Sequence, residues 1–407
     1  MLVPTVLVAA LLAVPAGVTV STANSVATGD QDGGAVATNR IGDVAVVWED
    51  DRAESNPGDN TNSEIFVRLF RNGTSAYEKK LSAGGTAGVK WKHVNPDVAL
   101  DDKGNAVVVW NDDPDGNGTY NVVYRVISPA GTVLGQGQVN ASAAGQQLTP
   151  KVAVDPDGTP STPAAVAFSV VWEDVQGTVT TIKAAGYTNV ATKAYEVVAS
   201  QSTGAHHQPD VAVSASGDAL IAWDEDSDGN GFYQIGLVRL AKSNGAVNLS
   251  RRAANLNGGG QQRHPAVAAN FTGDFVVAWE SDHTGVPGIW SRSFTSTGDP
   301  KHGDVEVANT PGAGAPAVGI DDQANVVVGW TVLSLNSDVW ARGFNPDGTT
   351  TGRLPAQTYS GTTTGRQEQL SLGVSPWGEI AVSYTDDNDS NLYDQVLLAL
   401  GGSNSTW

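Results

Sequence analysis

The sequence predicts an all-β protein, a seven-bladed β-propeller of four-stranded antiparallel blades. An aromatic closes an apolar run at Trp48, Trp110, Trp172, Trp223, Trp279, Trp330 and Tyr384, with spacings of 62, 62, 51, 56, 51 and 54 residues. A recurring unit of that kind signals a repeat architecture. The runs themselves, VAVVW, AVVVW, FSVVW, ALIAW, FVVAW and VVVGW, are apolar on consecutive positions, so both faces of each strand must be covered. A composition of 47 Gly, 11 Trp, one Met and 16% charged residues suits many short strands joined by tight turns.

The chain opens on Leu2 to Pro15, an apolar run too short to span a bilayer, followed by small residues before Gly17. This reads as a secretory signal peptide over residues 1–16, with a single propeller domain over 17–407. No Lys or Arg precedes Arg40, so the usual basic start of a leader is missing, and a buried strand is the competing reading. No second long apolar run exists, so the mature protein is expected outside the cell, without membrane insertion and as a monomer.

Each unit then begins with a short inner strand such as Val98-Ala99-Leu100 or Val211-Ala212-Val213, usually preceded by proline (Pro96, Pro150, Pro209, Pro265, Pro316). Proline is tolerated at a strand's first residue, where no ladder N–H is needed. A hairpin marked by Gly42-Asp43, Gly104-Asn105, Gly217-Asp218, Gly273-Asp274 or Gly378-Glu379 leads into the second strand. The third unit carries a longer insert there, Asp155 to Ala164, read as a surface loop. The third strand repeats an arginine (Arg68, Arg125, Arg239, Arg292, Arg342), and one per unit at one position argues for a structural role. A fourth short strand follows, as in AVNLS or VEVAN. The seventh unit lacks it, while Val18 to Thr22 reads like the missing copy; pairing the two ends would close the ring and remove an exposed edge.

The consensus PDVAVDxxGNxVVVWxDxxDGxGxYxVxxR resembles that of secreted bacterial β-propeller repeat proteins, some attached to adhesin-like or calcium-binding chains. The resemblance spans about residues 30 to 400. It implies the architecture and leaves the role open, since one fold hosts many functions.

Charge narrows the partners. A net charge of −20 and a pI near 4.5 disfavour nucleic acid and anionic lipid, which bind through Lys and Arg. A cation, a neutral glycan or an extracellular protein fits better. There is no cysteine, which excludes a disulfide framework and a thiolate metal site.

Two sets of loops fall on one face of the ring, the face where function is expected. The loops between second and third strands are acidic: Asp113, Asp115 and Asn117 alternate, as do Asp226, Asp228 and Asn230, and Asp387, Asp389 and Asn391. Alternating oxygens suit Ca²⁺, the one cofactor expected, although the same residues also favour plain turns and the glutamate of an EF-hand is absent. The connections between units are polar and include Trp91, His93, Gln147, His206, His207, Arg263, His264 and Arg366. Ringing a channel mouth, these would suit a sugar or peptide; bonding to loop carbonyls is the structural alternative. No GxSxG, HExxH or phosphate-loop motif is present, and DPDGNGTY only partly matches the Asp-box of sialidase propellers. The expected function is a secreted, non-catalytic binding protein for glycan or protein. The alternatives are a glycoside hydrolase or polysaccharide lyase, and a structural module of an extracellular assembly.

Overall fold

In a computed structural model, residues 18–52, 62–86, 89–157, 165–201, 203–334, 337–352, 354–360, 365–387 and 394–401 are described. The expected leader 1–16, most of the insert in unit 3, and Asp389 with Asn391 lie outside them. The strands form seven four-stranded antiparallel sheets, the blades of a seven-bladed propeller. Blades 1 to 6 take residues 31–80, 92–138, 146–198, 205–253, 262–308 and 313–358 in chain order. Blade 7 joins the two ends of the chain: Thr19–Thr22 pairs antiparallel with Gln395–Gly401, Thr19 opposite Leu400 and Thr22 opposite Leu397. The ring is closed by its N-terminal strand, as expected. Among the described residues no helix is long and apolar enough to cross a membrane.

The consecutive apolarity of the second strands has its cause in the seams. Seven buried clusters lie one between each pair of neighbouring blades. The closing aromatic of each second strand fills the seam with the preceding blade. Trp223 of blade 4 packs with Ile182 and Ala184 of blade 3, and Trp48 of blade 1 with Val396 and Leu398 of blade 7. Burying such an indole contributes several times the ~0.8 kcal/mol of one CH₂, so the repeated aromatic is what makes each blade require its neighbour.

Three of the five recurring arginines staple the same seams. Arg68, Arg292 and Arg342 each donate Nη1 to a carbonyl at the outer edge of the preceding blade, those of Ala23, Ala254 and Val307, at 2.7, 3.2 and 3.1 Å. Carbonyls, more than carboxylates, are their partners.

One reading is corrected. The innermost strands are not three-residue segments preceded by proline. They run over Gln31–Thr38, Lys92–Leu100, Gln146–Val154, Ala205–Val213, Gln262–Ala269, Ala313–Ile320 and Gln367–Val374, and in the five that contain proline it stands in the middle. Each has a register shift of the bulge type at that point. Proline fits there because the innermost strand is an edge, paired on one side only. Most of the polar residues assigned to connections are therefore the first residues of these strands.

At the far end of the innermost strands, the hairpin tips interlock around the ring axis. Arg40 at the tip of blade 1 reaches Asp102 of blade 2 at 3.3 Å and Asp322 of blade 6 at 2.9 Å. Its guanidinium also lies 4.7 Å from the ring centroid of Phe271 in blade 5 and 5.5 Å from that of Trp377 in blade 7. A side chain that touches four other blades stands on the axis. Neighbouring tips bond as well, Asp102 N–H to the Pro156 carbonyl and Asp322 N–H to that of Pro376.

Candidate functional site at the axial funnel

The opposite end of the innermost strands carries the candidate site. The bulge residues Gly33, Asn95, Thr149, Gln208, His264, Ala315 and Gln369 all have left-handed backbone, with φ between 47° and 60°. Six of the seven are not glycine, and five precede a proline, which ordinarily disfavours helical backbone in the residue before it. Such conformers cost on the order of 1–3 kcal/mol each and persist only where the surroundings fix them. The fixing groups sit one residue after the closing aromatics. Glu49, Glu173, Asp224 and Glu280 accept the bulge N–H of the next blade, from Asn95, Gln208, His264 and Ala315, at 2.7, 2.8, 2.8 and 2.7 Å.

All seven bulge residues line one cavity of about 540 Å³ on the axis. Below them the position after the proline, or its equivalent, is Asp97, Lys151 and Asp210 on blades 2 to 4, against Ala35, Ala266, Ala317 and Ser371 on the other four. Lys151 Nζ lies 3.6 Å from Asp97. The Asp97 and Asp210 carboxylates accept the N–H of Val152 and Val267 on the following blades at 2.8 and 2.7 Å. Burial pushes the Asp210 carboxyl up to about 6 and raises Asp97, while Asp97, then Asp210, raises the Lys151 ammonium above its ordinary value.

At the rim the sevenfold repeat breaks. The residue before each bulge is Asp32, Val94, Leu148, His207, Arg263, Gly314 or Glu368. Basic groups stand there only on blades 4 and 5, and acids only on blades 7 and 1. His207 Nδ1 pairs with Glu173 at 3.2 Å and His264 Nδ1 with Glu280 at 2.9 Å; these hydrogen bonds raise both imidazoles. Arg263 stacks over the Tyr233 ring at 3.6 Å and lies 3.9 Å from Asp224. Burial pushes the Asp224 carboxyl up to about 7, even with His264 and Arg263 beside it, and its Oδ2 has no hydrogen-bond partner. Across the mouth, burial and the neighbouring Asp32 push Glu49 up to about 8.

The residues singled out in the sequence divide between rim and interior. His207, Arg263 and His264 are at the rim, the side chain of His264 being 48% exposed. His93, Gln147 and His206 are turned into their blades, at 1%, 0% and 0% exposure, which overturns their placement as mouth contacts. The cause is internal bonding: His93 Nδ1 to Asp112 at 2.6 Å, Gln147 Oε1 from the Trp172 indole at 2.7 Å, and His206 Nε2 to the Thr203 carbonyl at 3.0 Å. Trp91 lies half-buried in the connection from blade 1 to blade 2, its N–H and carbonyl bonded to Asn62. Arg366 pairs with Asp387 at 3.2 Å and is 57% exposed. Glu173, Asp224, Glu280, Asp97, Lys151, Asp210 and Tyr233 were missed. The first three follow the repeated tryptophan, and the next three the repeated proline, so alignment of the units could have found them.

In the acidic loops the carboxylates face their own backbone. Asp113 accepts the N–H of Asn117 and Gly118 at 3.0 and 2.9 Å, and Asp226 those of Asn230 and Gly231 at 3.1 and 3.0 Å. Asp115 and Asp228 accept from the side-chain amides of Asn117 and Asn230, both at 2.9 Å. Among the described residues no group of three or more His, Cys, Asp or Glu side chains converges on one ion position.

No family model and no curated protein matches the chain. Solved structures do. A protein of unknown function from Dyadobacter fermentans is similar at 11% identity and a TM-score of 0.51, covering 95% of this chain and 99% of that one. An α-L-arabinofuranosidase from Fusarium graminearum, solved with an iminosugar inhibitor, is similar at 9% identity and a TM-score of 0.50, covering 76% and 92%. A sialidase from Streptococcus pneumoniae is similar at 9% identity and a TM-score of 0.50, covering 93% and 69%. At these identities the likeness is one of fold.

Proposed function

We propose that this chain is a secreted, non-catalytic propeller that binds glycan at the funnel mouth, chiefly on blades 4 and 5. The observation that carries the reading is the broken repeat at the rim. Architecture preserves the sevenfold pattern, so the groups that depart from it, His207, Arg263 and His264, are where a ligand would be read. A guanidinium and two imidazoles, each held by a carboxylate or an aromatic ring, offer oriented hydrogen bonds to hydroxyls. The sugar-directed names of two similar propellers accord with this reading. Calcium at the acidic loops belongs to the same proposal, as an ion added to a turn already framed by its own amides; millimolar calcium should raise the melting temperature of chelator-treated protein.

The test is a glycan array with the purified protein and its Arg263→Ala and His207→Ala variants, with and without chelator. Binding that weakens in both variants supports the proposal, and no bound glycan under either condition sinks it.

One observation favours catalysis as a second reading. Asp224 is a carboxyl held near neutrality, the state a general acid needs. Its complete burial argues for the clamp role instead. Release of reducing sugar from any polysaccharide, lost in Asp224→Asn, would reverse the choice.

A further inference from the structure

We propose that the funnel receives the free end of a neutral polyhydroxylated chain, its terminal residue descending the axis to Lys151, Asp97 and Asp210, rather than a mid-chain segment lying across the mouth. This rests on the glycan reading above and adds to it the part of the glycan that is recognised.

Shape is the first argument. The funnel leads to a collar of Val36, Val98, Val152, Val267, Val318 and Leu372, and beyond that collar Arg40 occupies the axis, tied to blades 2 and 6 and covered by Phe271 and Trp377. A polymer cannot thread through, so only an end can descend. The volume of about 540 Å³ lies in the range of small-molecule sites.

The wall supplies the second argument. One side presents an ammonium between two carboxylates, and the other presents Ala35, Ala266, Ala317 and Ser371, whose hydroxyl already accepts the Val36 N–H at 3.1 Å. A sugar residue has the matching division, a hydroxyl edge and an apolar face. The carboxylates are fixed in advance by the N–H groups of Val152 and Val267. Lys151, 43% exposed toward the funnel, meets Asp97 only at 3.6 Å, longer than a good hydrogen bond, and so has donors left for hydroxyls.

Charge is the third. Two carboxylates in a protein of net charge −20 repel an anionic end, and both are already engaged by groups of the chain itself, the Lys151 ammonium beside Asp97 and the N–H groups of Val152 and Val267. Alternating acceptor, donor and acceptor suit hydroxyl groups, which can both give and take a hydrogen bond.

The experiment uses the whole protein and an array of neutral oligosaccharides, followed by calorimetry. The strongest linear binder is compared with the same oligosaccharide carrying methylated terminal hydroxyls. Methylation of the end, and Lys151→Met, are each expected to weaken binding about tenfold or more, the scale of a lost hydrogen bond to a charged group. Ala317→Phe fills the funnel from the apolar wall without touching a charge and should do the same, which keeps the test open if Lys151→Met fails to fold. Unchanged binding of the methylated sugar, or unchanged binding by Ala317→Phe, overturns end-on recognition and leaves glycan binding standing. If no sugar on the array binds, both readings fall.

Discussion

The backbone N–H of His264 donates to Asp224 Oδ1 at 2.8 Å across the seam between blades 4 and 5. One bond thereby holds a left-handed residue, fixes a rim imidazole and joins two blades. Asp224→Ala leaves a buried N–H without an acceptor, which costs about 1–3 kcal/mol. Asp224→Asn keeps an acceptor oxygen and should stay within about 1 kcal/mol of the parent. Urea unfolding of the two variants checks this, and equal losses would show that charge rather than the bond matters there.

The tryptophans that fill the seams are not equivalent. The indole N–H of Trp172 donates to Gln147 at 2.7 Å, whereas that of Trp223 is buried without a partner. Trp172→Phe therefore orphans a buried amide oxygen, and Trp223→Phe removes a donor that was already unpaired. Trp172→Phe should be the more costly by about 1 kcal/mol, the net worth of one hydrogen bond. Chemical denaturation read by circular dichroism gives the comparison.

The blades were legible in the sequence because packing repeats: seven seams need seven aromatics, and the same need placed an apolar run before each. The bulges were not legible. Proline before a strand and proline inside a bulged edge strand read alike in sequence, and only the register shift tells them apart. That one ambiguity misplaced His93, Gln147 and His206, which look like rim residues when the strand is taken to start after them. Arg40 was equally hidden, since nothing local distinguishes a hairpin arginine in solvent from one that reaches four other blades.

The closing strand offers a direct test of the ring. Removing residues 18–22 leaves the edge of Gln395–Gly401 unpaired and strips Val18 and Val20 from the seam between blades 6 and 7. An exposed edge recruits other chains. The truncated protein should melt lower and elute as dimers or larger species in size-exclusion chromatography, while the full chain elutes as a monomer.

Stability should fall as pH rises from about 5 to 8, and the sign follows from several groups at once. Asp224 and Glu49 are pushed up to about 7 and about 8, Asp32, Asp210 and Asp394 to about 6. A carboxyl with a raised folded-state pKa holds its proton in the native protein after the unfolded chain has lost it, so each step up in pH through that window favours unfolding. His207 and His264, raised by Glu173 and Glu280, act in the same direction. Their stabilisation is complete below the unfolded value and disappears as pH passes the folded one. Opposing the trend are His206, which burial holds below its ordinary value so that its contribution grows as pH rises toward the unfolded value, and Glu173, whose bonds from His207 and Gln208 outweigh its burial and hold it low, a contribution lost only in stronger acid. Melting temperatures across pH 5 to 8 read the slope. Glu49→Gln should flatten the decline across the whole window from about pH 5 to 8, and by the largest share near pH 8, where the other raised carboxyls have already lost their protons in the folded protein.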